Sequence, residues 1–91
     1  MTFEWDAEKA RTNEIKHGVS FEEAKTVFND PFSITIADPN HHEEERWLDI
    51  GLSDSDRLLV VWYTEHTDRI RIIGCRGATK TERQYYEHSE F

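Results

Sequence analysis

Basic side chains are concentrated in one short stretch near the end of an otherwise acidic chain. Residues 69–83 hold five basic residues and one acidic residue, a local balance of +4, whereas the 91-residue chain has a formal net charge of −8. The basic residues are Arg69, Arg71, Arg76, Lys80 and Arg83. Because salt screens charges beyond about 8 Å, such a patch can attract phosphate on an anionic protein. Arginine suits this task, since its planar fork pairs with two phosphate oxygens.

Three other side chains could transfer protons. His17 carries an imidazole that could act as an acid or a base, Glu65 follows a strongly apolar run, and Tyr86 carries a phenol. Each also has a structural interpretation: His17 lies where a cation favours a helix end, Glu65 could be a turn carboxylate, and Tyr86 could pack on a sheet.

The basic residues have structural alternatives as well. Arg76 could bond loop carbonyls, Arg69 and Arg71 could keep an exposed strand polar, and Lys80 and Arg83 could be ordinary surface charges.

The run His41-His42-Glu43-Glu44-Glu45 invites comparison with a metal site. Adjacent residues of a strand point to opposite faces, so two neighbouring histidines rarely bind one ion. A solvated loop explains this run better. We therefore expect no metal and no cofactor.

Composition excludes several classes of protein. The longest apolar run, residues 58–63, has six residues, whereas a membrane-spanning helix needs about 20. The first residues lack the basic and apolar segments of a signal peptide. The single cysteine, Cys75, cannot form an internal disulfide and is expected to be buried. These features predict one cytoplasmic domain over residues 1–91, with no membrane partner.

Two helices are predicted at the N-terminus. The first covers residues 7–16, with Asp6 as its N-cap and Gly18 as its stop, and its thin apolar face includes Ile15. The second begins after Ser20, where Glu23 is expected to reach back to the cap as in a capping box, and ends at residues 29–31.

Four strands and a third helix are predicted to follow. Alternating apolar residues mark strands at 32–36, 47–52 and 69–75, and residues 58–63 are apolar on both faces, as in a central strand. A second capping box, Thr79 to Glu82, opens a helix that reaches about residue 87. The short loops favour antiparallel pairing. The expected fold is α+β: two N-terminal helices, a four-stranded antiparallel meander and a C-terminal helix. All helices would cover one sheet face, leaving Arg69 and Arg71 on the other.

Several segments resemble the signatures of the BrnT family. At the N-terminus these are Phe3-Glu4-Trp5-Asp6, residues 16–24 (KHGVSFEEA) and Phe28-Asn29-Asp30-Pro31. At the C-terminus they are residues 69–73 (RIRII), Arg76, Ala78-Thr79, Glu82-Arg83 and Tyr86-Glu87. The resemblance implies a RelE-like fold and a toxin of a type II toxin–antitoxin pair, a ribonuclease that cuts RNA and inhibits translation. It also implies neutralisation by a BrnA-like antitoxin, which would supply the contact with operator DNA.

Metal-free RNA cleavage requires a group that accepts the 2′-hydroxyl proton, a cation for the phosphate and a donor for the leaving oxygen. On this basis Arg76 is predicted to clamp the phosphate, with Glu65, His17 and Tyr86 as the acid–base candidates. Four further residues are predicted to hold the RNA backbone: Arg69, Arg71, Lys80 and Arg83. The ribosome could assist this binding.

Two other functions remain open at this point. Because the chain is acidic, it could be a catalytically weak or inactive relative that acts as a protein-binding module or co-repressor with a basic antitoxin. Direct DNA binding is disfavoured, because the predicted helices are acidic and show no helix-turn-helix pattern.

Overall fold

A five-stranded mixed sheet forms the centre of the molecule. The computed structural model describes residues 1–40 and 45–88. The strands are β1 (Thr2–Glu4), β2 (Ile34–Ala37), β3 (Trp47–Leu52), β4 (Leu58–His66) and β5 (Arg69–Gly77). Their spatial order is β1-β5-β4-β3-β2. The strand β1 runs parallel to β5, and the other neighbours are antiparallel.

The α+β class is confirmed, but the prediction of four antiparallel strands is wrong. The additional strand, β1, has three residues and places Phe3 beside Ile70 and Glu4 beside Arg71. One apolar residue in so short a segment leaves no alternating pattern to detect. The strand forms because the edge of β5 offers unpaired backbone groups, which is a long-range interaction.

Within residues 1–40 and 45–88, three α-helices accompany the sheet: α1 (Ala7–His17), α2 (Phe21–Ala24) and α3 (Lys80–Glu87). The predicted ends of α1 are confirmed. Asp6 accepts hydrogen bonds from the backbone N–H groups of Glu8 and Lys9, and Gly18 has the left-handed φ of 71°. The capping box of Thr79 and Glu82 is present at the start of α3.

The second predicted helix is divided. After α2 the chain tightens into a 3-10 helix over Lys25–Asn29 and leaves it at Asp30. Ser20 caps α2 by accepting from the N–H of Glu23. The Glu23 carboxylate does not return to the cap as expected, because it bonds Arg57 and Ser53 instead.

Apolar residues are buried on both faces of the sheet. One face packs under α1, α2 and the 3-10 helix, where Phe21, Ala24 and Val27 contact Val61 and Ile72. The other face holds a smaller cluster of Ile50, Leu58 and Val60, covered by Ala78 and by Tyr86 of α3. The prediction that all helices share one face is therefore wrong. The central strand β4 is apolar on both sides and needs cover on both.

The helix α1 is attached to the sheet through a polar side chain. None of its residues is buried, and Ile15, which was expected on its inner face, is 81% exposed. Asn13 instead donates to the carbonyls of Cys75 (2.8 Å) and Val19 (3.1 Å) and accepts from the N–H of Cys75 (3.1 Å). Since β1 pairs only as far as Arg71, Asn13 satisfies the edge of β5 beyond it.

Within residues 1–40 and 45–88, no helix has the length and the apolar composition required to cross a membrane.

Replacing Asn13 should destabilise the fold more than substitutions at exposed positions of α1 do. Asn13→Ala removes three hydrogen bonds and leaves the part-buried Cys75 backbone unpaired. We expect a loss of about 2–3 kcal/mol of unfolding free energy, measured by urea denaturation. Thr12→Ala, at an exposed neighbouring position, should change it by less than about 0.5 kcal/mol. Equal effects of the two substitutions would contradict this role.

Candidate functional site

Three of the predicted arginines share one face of β5 because the strand contains a bulge. Trp62 of β4 pairs with Gly74 and the next residue, Tyr63, pairs with Ile72, so Ile73 is an extra residue. Arg76 is an odd number of residues from Arg71, and regular alternation would place the two on opposite faces. The extra residue restores them to the same face.

Arg76 is engaged by an acidic neighbour on that face. Its Nη1 and Nη2 donate to the two carboxylate oxygens of Glu82, at 2.7 and 2.9 Å, and its guanidinium lies 4.9 Å from the centre of the Trp62 ring. Hydrogen bonds from Arg76, together with the Thr79 N–H, lower the pKa of Glu82 to about 2. The Glu82 carboxylate thus occupies the fork that was predicted to hold phosphate, and the pair connects β5 to α3.

Arg69 and Arg71 lie at the other end of the strand and share one carboxylate. Each donates to Glu4 of β1 at 3.3 Å. Both arginines are about half exposed, and such surface pairs contribute little stability. Their guanidinium groups could exchange Glu4 for another anion at little cost.

Glu65 lies on the opposite face of the sheet from Arg76, and the hydroxyl of Tyr86 is engaged by another side chain. Glu65 pairs with Ile70 in the β4–β5 ladder and alternates to the sheet face opposite Arg69 and Arg71. The hydroxyl of Tyr86 donates to Asp30 at 2.6 Å, and burial with this hydrogen bond raises the pKa of Tyr86 to about 12. Tyr86 therefore anchors α3 to the end of the 3-10 helix.

His17 and Arg83, two residues far apart in sequence, line one cleft. The cleft has a volume of about 390 Å³ and lies where the end of α1, the turn before β4 and the start of α3 meet. A hydrogen bond from the Ala78 N–H to the Leu58 carbonyl (2.9 Å) joins two of these segments. An imidazole is suited to proton transfer and a guanidinium to binding phosphate, so the cleft contains groups for both tasks.

Among residues 1–40 and 45–88, Arg83 forms a longer ion pair than the predicted site arginines Arg69, Arg71 and Arg76. Its ion pair with Glu87 is 3.7 Å long, and both side chains are more than half exposed. Lys80 lies one turn earlier on α3, is exposed, and falls on the same helix side at i, i−3. Arg83 can therefore turn toward an anion in the cleft at little energetic cost.

The cleft also contains an arginine that the sequence interpretation missed. Arg57 lies in the turn before β4, and its Nε donates to Glu23 at 2.9 Å while its Nη2 donates to the same carboxylate and to the Gly18 carbonyl (3.2 Å). The bond from Arg57 lowers the pKa of Glu23, which also accepts from Ser53. The only local signal for Arg57 was a polar turn, because its partner Glu23 is 34 residues away.

The candidate metal residues His41 to Glu44 lie outside the described residues. Among residues 1–40 and 45–88, no three His, Cys, Asp or Glu side chains form a group that could hold a metal ion. Cys75 is buried, as predicted, and its burial raises the pKa of the thiol to about 12.

The contribution of the Arg76–Glu82 ion pair to stability can be tested by acid titration. Because the pKa of Glu82 falls from 4.5 to about 2 on folding, the pair stabilises the fold above pH 4.5, and this stability is lost as the pH falls toward 2. Its loss amounts to up to about 3 kcal/mol. In Arg76→Ala, NMR titration of the Glu82 carboxyl should give a pKa that moves back toward 4.5. In Arg83→Ala it should remain where it is, and a similar shift in both variants would contradict the assignment.

Comparison with known proteins agrees with this architecture. Residues 5–82 match the family described as "Ribonuclease toxin, BrnT, of type II toxin-antitoxin system". No curated protein matches the chain. The fold is similar to the crystal structure of the Brucella abortus ribonuclease toxin BrnT, with a TM-score of 0.65 and 22% identity over 88% of this chain and 99% of that chain. Because the family match covers most of the length of this chain, the chain belongs to the BrnT family of ribonuclease toxins of type II toxin–antitoxin systems.

Proposed function

We propose that this toxin is a metal-independent endoribonuclease and that it cuts RNA in the cleft lined by His17 and Arg83. The single observation that carries the proposal is that these two residues, from α1 and α3, line one open cleft. Of the four residues predicted to be catalytic, Arg76, Glu65 and Tyr86 are engaged or placed elsewhere.

The reaction needs one proton carrier and a positive charge at the phosphate. His17 accepts the proton of the 2′-hydroxyl as its oxygen forms a bond to phosphorus. The bond from phosphorus to the 5′-oxygen then breaks, and His17 returns the proton to that oxygen. The products are a 2′,3′-cyclic phosphate and a 5′-hydroxyl end. Arg83 pairs with the non-bridging oxygens, where negative charge increases in the transition state.

The remaining basic residues hold the RNA on either side of the cleft. Lys80 extends the positive surface along α3, and Arg69 and Arg71 contact the backbone farther along β5. Arg76 acts through Glu82, as a group that keeps α3 and therefore Arg83 in place. RNA cleavage in the cytoplasm, on free or ribosome-bound messages, would inhibit translation.

Loss of either cleft residue should abolish toxicity. Cells that express His17→Ala or Arg83→Ala alone should grow normally. The purified variants should cut RNA at least about 100-fold more slowly than the natural chain. Arg11→Ala, which removes a surface ion pair with Glu8 on α1, serves as the matched control and should remain toxic. Circular dichroism establishes that each variant is folded. Undiminished cleavage by both cleft variants would overturn the proposal.

The acidic surface suits a basic, BrnA-like antitoxin. A net charge of −8 favours association with a positively charged partner, and that attraction weakens as salt rises. In this proposal the antitoxin neutralises the toxin and carries the operator-DNA contact. A small basic antitoxin encoded next to this toxin should restore growth on co-expression and give a complex that copurifies at low salt. Growth arrest that persists despite co-expression would contradict this partner.

A second candidate function is supported by the ion pairs of the site arginines. Arg69, Arg71, Arg76 and Arg83 are each within 4.0 Å of a carboxylate oxygen. A chain whose guanidinium groups stay neutralised would be an inactive relative that acts only as a protein-binding module or co-repressor. A stable complex with the antitoxin, together with no cleavage by the toxin stripped of it, would select this function.

A further inference from the structure

We propose that Arg57 is the fixed phosphate-binding residue of the cleft and that Glu23 is the residue that positions it. This inference rests on the proposed ribonuclease function and names the group that fixes the substrate phosphate there.

The guanidinium of Arg57 is held from one edge. Its Nε and Nη2 donate three hydrogen bonds, two to the Glu23 carboxylate and one to the Gly18 carbonyl. The two N–H groups of Nη1 have no acceptor among the described residues. The side chain is 47% exposed and lines the cleft, so an incoming anion can reach these donors.

The residue that holds Arg57 is itself held. The side chain of Glu23 is 13% exposed, and it accepts a further hydrogen bond from the Ser53 hydroxyl at 2.7 Å. A donor fixed before the substrate arrives requires no reorganisation when charge develops on phosphorus. Arg76 differs, because its Nη1 and Nη2 both bond Glu82.

The position of Arg57 also relates it to the proton carrier. The carbonyl that accepts from its Nη2 belongs to Gly18, the residue that follows His17. Arg57 and His17 line the same cleft, and the exposed Arg83 lines it from α3. Two guanidinium groups and one imidazole fit a phosphodiester that is bound at several oxygens.

Acidic groups at the cleft limit the strength of this binding. Glu23 neutralises part of the Arg57 charge, and Asp56 lines the same cleft. A free phosphate should therefore bind weakly, whereas an RNA strand that is held along the basic surface should bind better.

The test measures binding and cleavage separately. Binding uses a 2′-O-methyl RNA oligonucleotide, which lacks the nucleophile, and cleavage uses the unmodified oligonucleotide. Arg57→Ala should weaken binding about tenfold and lower kcat/KM about 100-fold. It should also reduce the slope of log K against log salt by about 0.7, the loss of one phosphate contact on a single strand. A purely structural role for Arg57 would leave that slope unchanged.

Two further variants test the planar geometry of the Arg57 guanidinium and its positioning by Glu23. Arg57→Lys keeps the charge and the pairing with Glu23 but not the planar fork, so the salt slope should persist while kcat/KM falls about tenfold. Glu23→Gln should lower kcat more than it raises KM, because it loosens a donor that acts mainly in the transition state. Arg11→Ala is the surface control. If Arg57→Ala fails to fold, the test rests on Arg57→Lys, and an unchanged kcat/KM in that variant overturns the inference.

The outcomes distinguish this inference from the proposed function. If the natural chain cuts RNA and Arg57→Ala keeps its affinity, salt slope and rate, the assignment of Arg57 is overturned and the ribonuclease function stands. If the natural chain does not cut RNA, the ribonuclease function fails. In that case, loss of 2′-O-methyl RNA binding in Arg57→Ala would still support the phosphate site, and unchanged binding would overturn it.

Discussion

Burial of the central strand on both faces is the constraint on which this fold depends. Val60 and Val61 are adjacent in β4, point to opposite sides of the sheet, and are both fully buried. Burying such apolar side chains contributes about 1.5–3 kcal/mol each, but only if both faces are covered. A chain of 91 residues therefore divides its helices between the two sides. This division places the end of α1 and the start of α3 at the same end of the sheet, where the cleft forms.

Part-buried polar side chains connect the elements that the apolar core brings together. Asn13 joins α1 to the edge of β5, Glu23 joins α2 to Arg57, and Asp30 accepts from both the Leu52 N–H and Tyr86. Burial opposes the charged form of Asp30, yet the hydrogen bonds from Leu52, Tyr86 and Phe32 outweigh it and lower its pKa. These contacts fix the orientation of the helices more narrowly than apolar packing does, since hydrogen bonds are directional.

An acidic chain can still offer hydrogen-bond donors to an anion, because its carboxylates engage the arginines to different degrees. Glu82 occupies both terminal nitrogens of the Arg76 guanidinium, whereas Glu23 engages only one edge of Arg57. A long, exposed pair such as that of Arg83 and Glu87 can be exchanged for a substrate at little cost. The count of basic residues is thus a weaker guide to anion binding than the number of donors left open on each one.

Local signals in the sequence determined the ends of two helices and the burial of the central strand. The N-cap at Asp6, the stop at Gly18, the Thr79 capping box and the doubly apolar strand depend on residues within a few positions of one another. The family was also identifiable from short motifs.

Only the tertiary structure decided the strand β1, the location of α3 and the partners of each arginine. Each depends on contacts between distant segments, such as Glu23 with Arg57 and Glu4 with Arg71. Even the face on which Arg76 lies is set by one extra residue in β5, which changes the alternation of side chains. Neither packing against distant segments nor the location of a bulge is encoded in local periodicity, so these features followed from the folded chain.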